Sequence, residues 1–228
     1  MHFQVCRNYY GYGYPCCDKE GDPILLSAFG PLDVEGLVKS ISSYDYIRTS
    51  LKHLEEGMIL AKQSAEKKGE PYSQLTMVVD LNNLNTSHYT YKPFTYSYLT
   101  LLAIFQENYP LAFKKILVIQ APSVAQYAYT LLQPVLSEHL QNMIEIPGGW
   151  EERLFELVDK KDWPAFWGGE GKDPNGDEKC PSKVVYNEGP IPESYYADDK
   201  MEDKEALTVY AGDKRLLDFE VHTPNTQL

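Results

Sequence analysis

Apolar positions along the chain change period, and the changes mark the elements. Ile24-Leu25-Leu26-Ser27-Ala28-Phe29 is a short apolar run between Pro23 and Gly30 and predicts a strand. Leu32, Val34, Leu37, Val38 and Ile41 then recur at helical spacing, with Asp33 placed to cap the first turn. A longer helix starts at Ser43 and carries Ile47, Leu51, Leu54, Met58 and Ala61 on one stripe. Lys67-Lys68-Gly69 gives it a basic last turn and a glycine stop. Leu75–Leu81 is apolar almost throughout, as in a strand buried on both faces. Pro93 opens a helix that runs through Tyr98, Leu101, Leu102 and Phe105 to Asn108. Ile116–Ile119 predicts a second central strand, and Met143–Ile146 a further one, followed by a helix with Leu154, Phe155, Leu157 and Val158. Strands alternate with helices, which defines an α/β layer fold with a mainly parallel sheet flanked by helices.

Between the last two strands lies the segment Ala121–His139. Ser123 and Gln126 have the spacing of a capping box. Val124, Ala128, Leu131, Leu132 and Val135 form an apolar stripe, with Leu136 beside it and Tyr127 and Tyr129 broadening it. Pro134 interrupts this pattern. It removes a backbone donor and clashes with the carbonyl of Thr130, so a kink or break is expected at 130–134. A broken amphipathic helix over an apolar interior has the form of a lid.

Composition changes after Gly169. The segment 170–205 is rich in Asp, Glu, Pro and Gly and reads as an extended acidic linker packed on the surface. Leu207–Tyr210 and Arg215–Val221 flank Ala211-Gly212-Asp213 and predict a β-hairpin. The expected division is an irregular leading segment 1–21, an α/β domain 22–169, the linker 170–205 and a β segment 206–228. With 21 basic against 33 acidic residues the net charge is −12, which argues against a nucleic-acid partner. Cys6, Cys16, Cys17 and Cys180 provide neither a CxxC pair nor zinc-site spacing, so no metal is expected and a reducing cytoplasm is the simplest setting. The start of the chain does not read as a signal peptide.

Catalytic motifs are sparse. No G-x-S-x-G elbow occurs. Gly169–Asp173 departs from a phosphate loop, and Gly11-Tyr12-Gly13 lacks the third glycine of a dinucleotide fingerprint. Asp80 with His88 is the one acid/base pairing worth weighing; a turn-capping aspartate and a structural histidine is the plainer reading.

An ordered set of short words resembles the CRAL-TRIO lipid-binding family. These are Phe29-Gly30-Pro31-Leu32-Asp33 with Glu35-Gly36-Leu37, then Val79-Asp80, Leu84, His88 and Lys92-Pro93. Glu107-Asn108-Tyr109-Pro110 follows ahead of a strand ending in Ala121-Pro122, then Gln133–Glu138, Trp150-Glu151-Glu152, Pro164-Ala165 and Gly168-Gly169. Asp173-Pro174, Gly176, Lys179-Cys180 and Ile191–Ser194 extend the match. The branch it most resembles is that of supernatant protein factor and tocopherol-associated proteins, which add a C-terminal GOLD β-sandwich. Trp167 stands where the family usually has Phe, and Glu170 stands near where phosphatidylinositol binders can place Lys. Relative to that family, the helical lobe that usually comes first is expected to be absent and the GOLD portion truncated.

The resemblance implies an α/β lobe around an apolar pocket, closed by a gate helix that opens in transient contact with a membrane. No bond is made or broken and no cofactor is needed. The implied cargo is a phospholipid, a sterol precursor or a tocopherol-like molecule, carried or sensed inside the cell. Withdrawing a long acyl chain from water is worth ~0.8 kcal/mol per CH₂, so nearly all of it must be buried. The candidate pocket residues are Val79, Leu81, Leu101, Phe105, Leu117, Ile119, Tyr127, Leu131 and Val135, with Pro134 as the gate hinge. The alternative is an interaction module in membrane trafficking, in which the open edge of the GOLD-like hairpin pairs with a protein partner and the pocket is vestigial.

Overall fold

The computed structural model describes residues 2–187, 189–197, 212 and 214, without the side chains of His2 and Phe3. One compact unit spans Met1–Ala197, and Asp198–Leu228 is a separate unit. The hairpin expected in 207–221, and with it the GOLD-like edge, lies outside the described residues.

The helices are α1 (His2–Tyr9), α2 (Val34–Ser40), α3 (Ser43–Lys68), α4 (Ser87–Thr90), α5 (Lys92–Asn108), α6 (Val124–Leu132), α7 (Glu138–Met143) and α8 (Trp150–Leu157). The strands are β1 (Tyr12–Gly13), β2 (Ile24–Ala28), β3 (Leu75–Asp80), β4 (Phe113–Ile119) and β5 (Ile144–Glu145), and they form one sheet in chain order. β1 runs antiparallel to β2; the other pairings are parallel. The expected α/β class with a mainly parallel sheet is therefore the observed one.

Local chemistry accounts for most boundaries. The Asp33 carboxylate accepts from the amide of Gly36 at 2.9 Å and opens α2. Ser42 caps α3 through the amide of Asp45, and Gly69 ends it in the left-handed conformation at φ 71°. Pro93 sits in the first turn of α5, where its missing N–H costs nothing. The capping box expected at Ser123 is not formed: its side chain makes no cap bond, and the amide of Ala125 is taken by the carbonyl of Pro122.

The leading segment is more ordered than its composition suggests. Val5 and Cys6 of α1 are buried against Leu37, Tyr46 and Phe94. Gly13 lets β1 lie against the backbone of Lys183 and Val184, since a Cβ there would meet the Lys183 carbonyl oxygen at 2.2 Å. The described part of the acidic segment after Gly169 also contributes to the interior. Val184 joins the core, and the amide of Ile191 bonds to Asp33 at 2.9 Å.

The two faces of the sheet differ. Ile24, Leu26, Val78, Leu117 and Ile119 point to one face and pack solidly with Leu154, Val158, Trp163 and Trp167. Both indoles are fully buried. The Trp167 indole N–H donates to the buried Asp80 carboxylate at 2.8 Å, and the amide of Asn82 donates to its other oxygen at 2.8 Å. This ties the segment after α8 to the end of the central strand. Trp167→Phe removes one donor from the buried Asp80 side chain and some packing volume. It should lower unfolding stability by about 1–3 kcal/mol in a urea titration; an unchanged midpoint would contradict this role.

Candidate functional site

The opposite face of the sheet is not filled. Leu25, Ser27, Met77, Val79, Ile116 and Val118 point into a cavity of about 290 Å³. That lies at the small end of the range for ligand sites, roughly 300–1,000 Å³. Tyr46, Ser50, Leu51, His53 and Leu54 of α3 and Tyr98, Leu101, Leu102 and Phe105 of α5 form further walls. Ala125, Ala128, Tyr129 and Leu132 of α6, followed by Leu136 and Leu140, close the remainder. No Lys, Arg, Asp or Glu is among the lining residues.

Of the residues expected to line the pocket, Val79, Leu81, Leu101 and Phe105 do. Leu117 and Ile119 do not. The register pairs Val78 with Leu117 and Asp80 with Ile119, which puts both on the tryptophan face. Side chains alternate along a strand, so Ile116 and Val118 take their place. Tyr127, Leu131 and Val135 also do not line the cavity: they stand 59%, 49% and 48% exposed. They recur every four residues on the outer side of α6 and the turn after it, while Ala125, Ala128 and Leu132 point inward. The segment is thus apolar on both sides.

Pro134 falls where the break occurs. α6 stops at Leu132, a 3₁₀ turn covers Gln133–Val135, and α7 restarts at Glu138 under a Ser137 cap. Backbone groups released by the break find side-chain partners. The Gln106 amide on α5 donates to the carbonyl of Val135 at 3.2 Å and accepts from the amide of Ser137. Gln141 donates to the carbonyls of Leu136 and Gln133 at 2.9 and 3.2 Å. Tyr127 meets Tyr89 edge-on at 5.7 Å, joining α6 to α4.

The polar groups near the cavity sort into engaged and open ones. Tyr10 and Ser50 hydroxyls bond each other at 2.8 Å, and Ser50 donates to the carbonyl of Tyr46 at 2.8 Å. The ring nitrogens of His88 sit 3.2 Å from the carbonyl of Phe29 and 3.3 Å from the side-chain oxygen of Asn85. Burial holds the His88 imidazole below its ordinary value, against these bonds. His88 lines the cavity whereas Asp80 faces Trp167, so the two belong to different faces and serve as structural groups. Burial pushes His53 down to about 3, leaving a neutral imidazole in the cavity wall. Burial likewise raises the hydroxyls of Tyr10, Tyr12 and Tyr46, and that of Tyr98 to about 12.

The glycines that invited cofactor readings serve packing. A Cβ on Gly169 would meet the carbonyl oxygen of Trp163 at 2.0 Å. Among the described residues, Asp18, Glu20 and Asp22 are the one carboxylate group close enough to share a cation. Lys114 already supplies the charge, with its ammonium 2.8, 2.6 and 2.6 Å from the three.

A charge-free hollow between a sheet and a jointed helix defines a receptor for an apolar guest. The comparisons place it: residues 7–169 match the CRAL/TRIO domain, and the chain belongs to that family, whose members bind and transfer hydrophobic lipids. Protein ctg-1 of Caenorhabditis elegans is 43% identical over 227 residues, covering 97% of this chain and 59% of that protein. The CRAL-TRIO domain-containing protein T23G5.2 of the same organism is 30% identical over 169 residues, covering 72% of this chain and 23% of that protein. The chain therefore spans well under two thirds of both relatives. The crystal structure of Sfh5 has the same fold, with a TM-score of 0.59 at 17% identity, over 82% of this chain and 67% of that one. Among the described residues no helix is long and apolar enough to cross a membrane.

If the hollow is the site, filling it blocks uptake. Ala128→Trp should reduce binding of the fluorescent apolar probe N-phenyl-1-naphthylamine at least tenfold while circular dichroism stays native. Leu131→Trp, on the outer side, should leave probe binding within twofold. Equal uptake by both variants would contradict the assignment.

Proposed function

We propose that this chain binds a hydrophobic lipid in the cavity and exchanges it at membranes through movement of α6 about the Pro134 break. The observation that carries the reading is a single one. The helix that roofs an uncharged apolar hollow also presents Tyr127, Leu131 and Val135 to solvent. Exposed apolar side chains on a mobile cover gain free energy at a lipid surface, at about 25 cal/mol per Å² buried. A net charge of −12 supplies no general attraction to anionic membranes, so contact is brief and rests on this stripe. The chain then works in the cytoplasm, peripheral to membranes. Phospholipid, sterol precursor and tocopherol-like cargo all fit the apolar walls as a class, and no covalent step is required.

Gln106 and Gln141 are the latches of the closed state in this scheme. They hold backbone groups that an uninterrupted helix would satisfy itself. Outward movement of α6 exchanges those bonds for water or headgroups, so opening is favoured where the outer stripe has somewhere apolar to go.

The test is transfer between vesicles. Leu131→Asp combined with Val135→Asp should slow transfer of a fluorescent lipid between phosphatidylcholine vesicles at least tenfold. Probe binding in the absence of vesicles should remain within twofold of the parent. Transfer at the parent rate would overturn the docking role of this stripe.

A further inference from the structure

One corner of the cavity carries two polar groups that the protein itself leaves open. His53 is only 8% exposed and lines the cavity. Its backbone carbonyl accepts from the Tyr14 hydroxyl, but neither ring nitrogen has a hydrogen-bond partner among the described residues. Neither nitrogen is sealed inside protein either: among the described residues the single buried polar side-chain atom without a partner is the Trp163 indole nitrogen. The imidazole therefore faces open space. Ser27 shares the lining, and its hydroxyl likewise has no partner among the described residues. Ser27 lies directly across the sheet from Tyr12, and the Tyr12 ring stacks on His53. The two open groups thus flank one aromatic ring at the β1–β2 side. α7 packs at the β4–β5 side, so the hollow has a polar corner and an apolar opposite wall.

We propose that His53, assisted by Ser27, hydrogen-bonds the small uncharged polar head of the ligand in both directions, so the preferred cargo is a hydrophobic alcohol and not a phospholipid. This rests on the carrier reading above and narrows it. A neutral imidazole offers one donor and one acceptor, so it matches a hydroxyl in either direction and a carbonyl in one. A buried donor or acceptor left unused is costly, and a ligand that satisfies both is selected over one that satisfies one. A phosphate brings a charge that needs a buried cation, and none of the lining residues is Lys or Arg. Glu56, which accepts from the Tyr12 hydroxyl at 3.4 Å, adds a repelling charge beside this corner. Tyrosine rings can cage a choline, but its phosphate would still lack a partner.

The 228-residue chain loaded with N-phenyl-1-naphthylamine provides the test, with 1-dodecanol and its methyl ether as competitors. The parent should bind the alcohol roughly tenfold more tightly than the ether, the size of one neutral hydrogen bond. His53→Phe should bring that ratio to about one while probe uptake persists. His53→Gln, which keeps a donor and an acceptor, should retain most of the preference and covers the case in which the Phe variant does not fold. A parent ratio near one, an unchanged ratio in His53→Phe, or loading of dipalmitoylphosphatidylcholine from vesicles as tightly as the alcohol would overturn the inference. A parent that fails to take up the probe at all would instead overturn the carrier reading.

Discussion

Alternation along a β-strand sends successive side chains to opposite faces, and here the two faces have opposite fates. One is filled by two indoles and branched aliphatics, all of them almost wholly buried. The other is roofed by helices that stand off from it and leave a hollow. The filled face makes the hollow one tolerable. A sheet anchored on one side, with Trp167 bonded to Asp80 at its centre, keeps its shape when the other side is not packed by its own chain. The empty side lacks those dispersion contacts, and an apolar guest restores them.

The cover is jointed. A continuous helix from Val124 to Met143 would be held by its own ladder. Pro134 divides it, and the freed groups pass to glutamine side chains, whose bonds water can replace. Small residues, Ala125 and Ala128, face inward, and large ones, Tyr127 and Leu131, face outward. Charge is kept from the lining and concentrated elsewhere, as in the carboxylates gathered around Lys114. The wall is therefore neutral while the surface is strongly acidic.

The sequence made the fold legible because its helices have caps, stops and one-sided stripes, and its central strands are continuously apolar. The same continuity hid the site. A strand buried on both faces has no alternation to mark which residues face which way, so Leu117 and Ile119 could not be told from Ile116 and Val118. The register that decides it comes from β3. The stripe on α6 failed as a guide for a related reason: a helix apolar on both sides gives no preferred face. His53 is one polar residue among many in a long helix, and only its neighbours Tyr12 and Ser27, brought from β1 and β2, set it apart. The leading segment lacked a clear period, and its helix is held by tertiary contacts of Val5 and Cys6.

The central claim is that the unfilled face is a receptacle, and the mass of the native protein tests it most directly. Gentle native mass spectrometry of the freshly purified chain should reveal a population heavier than 26.1 kDa by one hydrophobic molecule. That mass should disappear on extraction with organic solvent. A single species at the bare chain mass, with no apolar compound in the extract and no uptake from vesicles, would contradict the account.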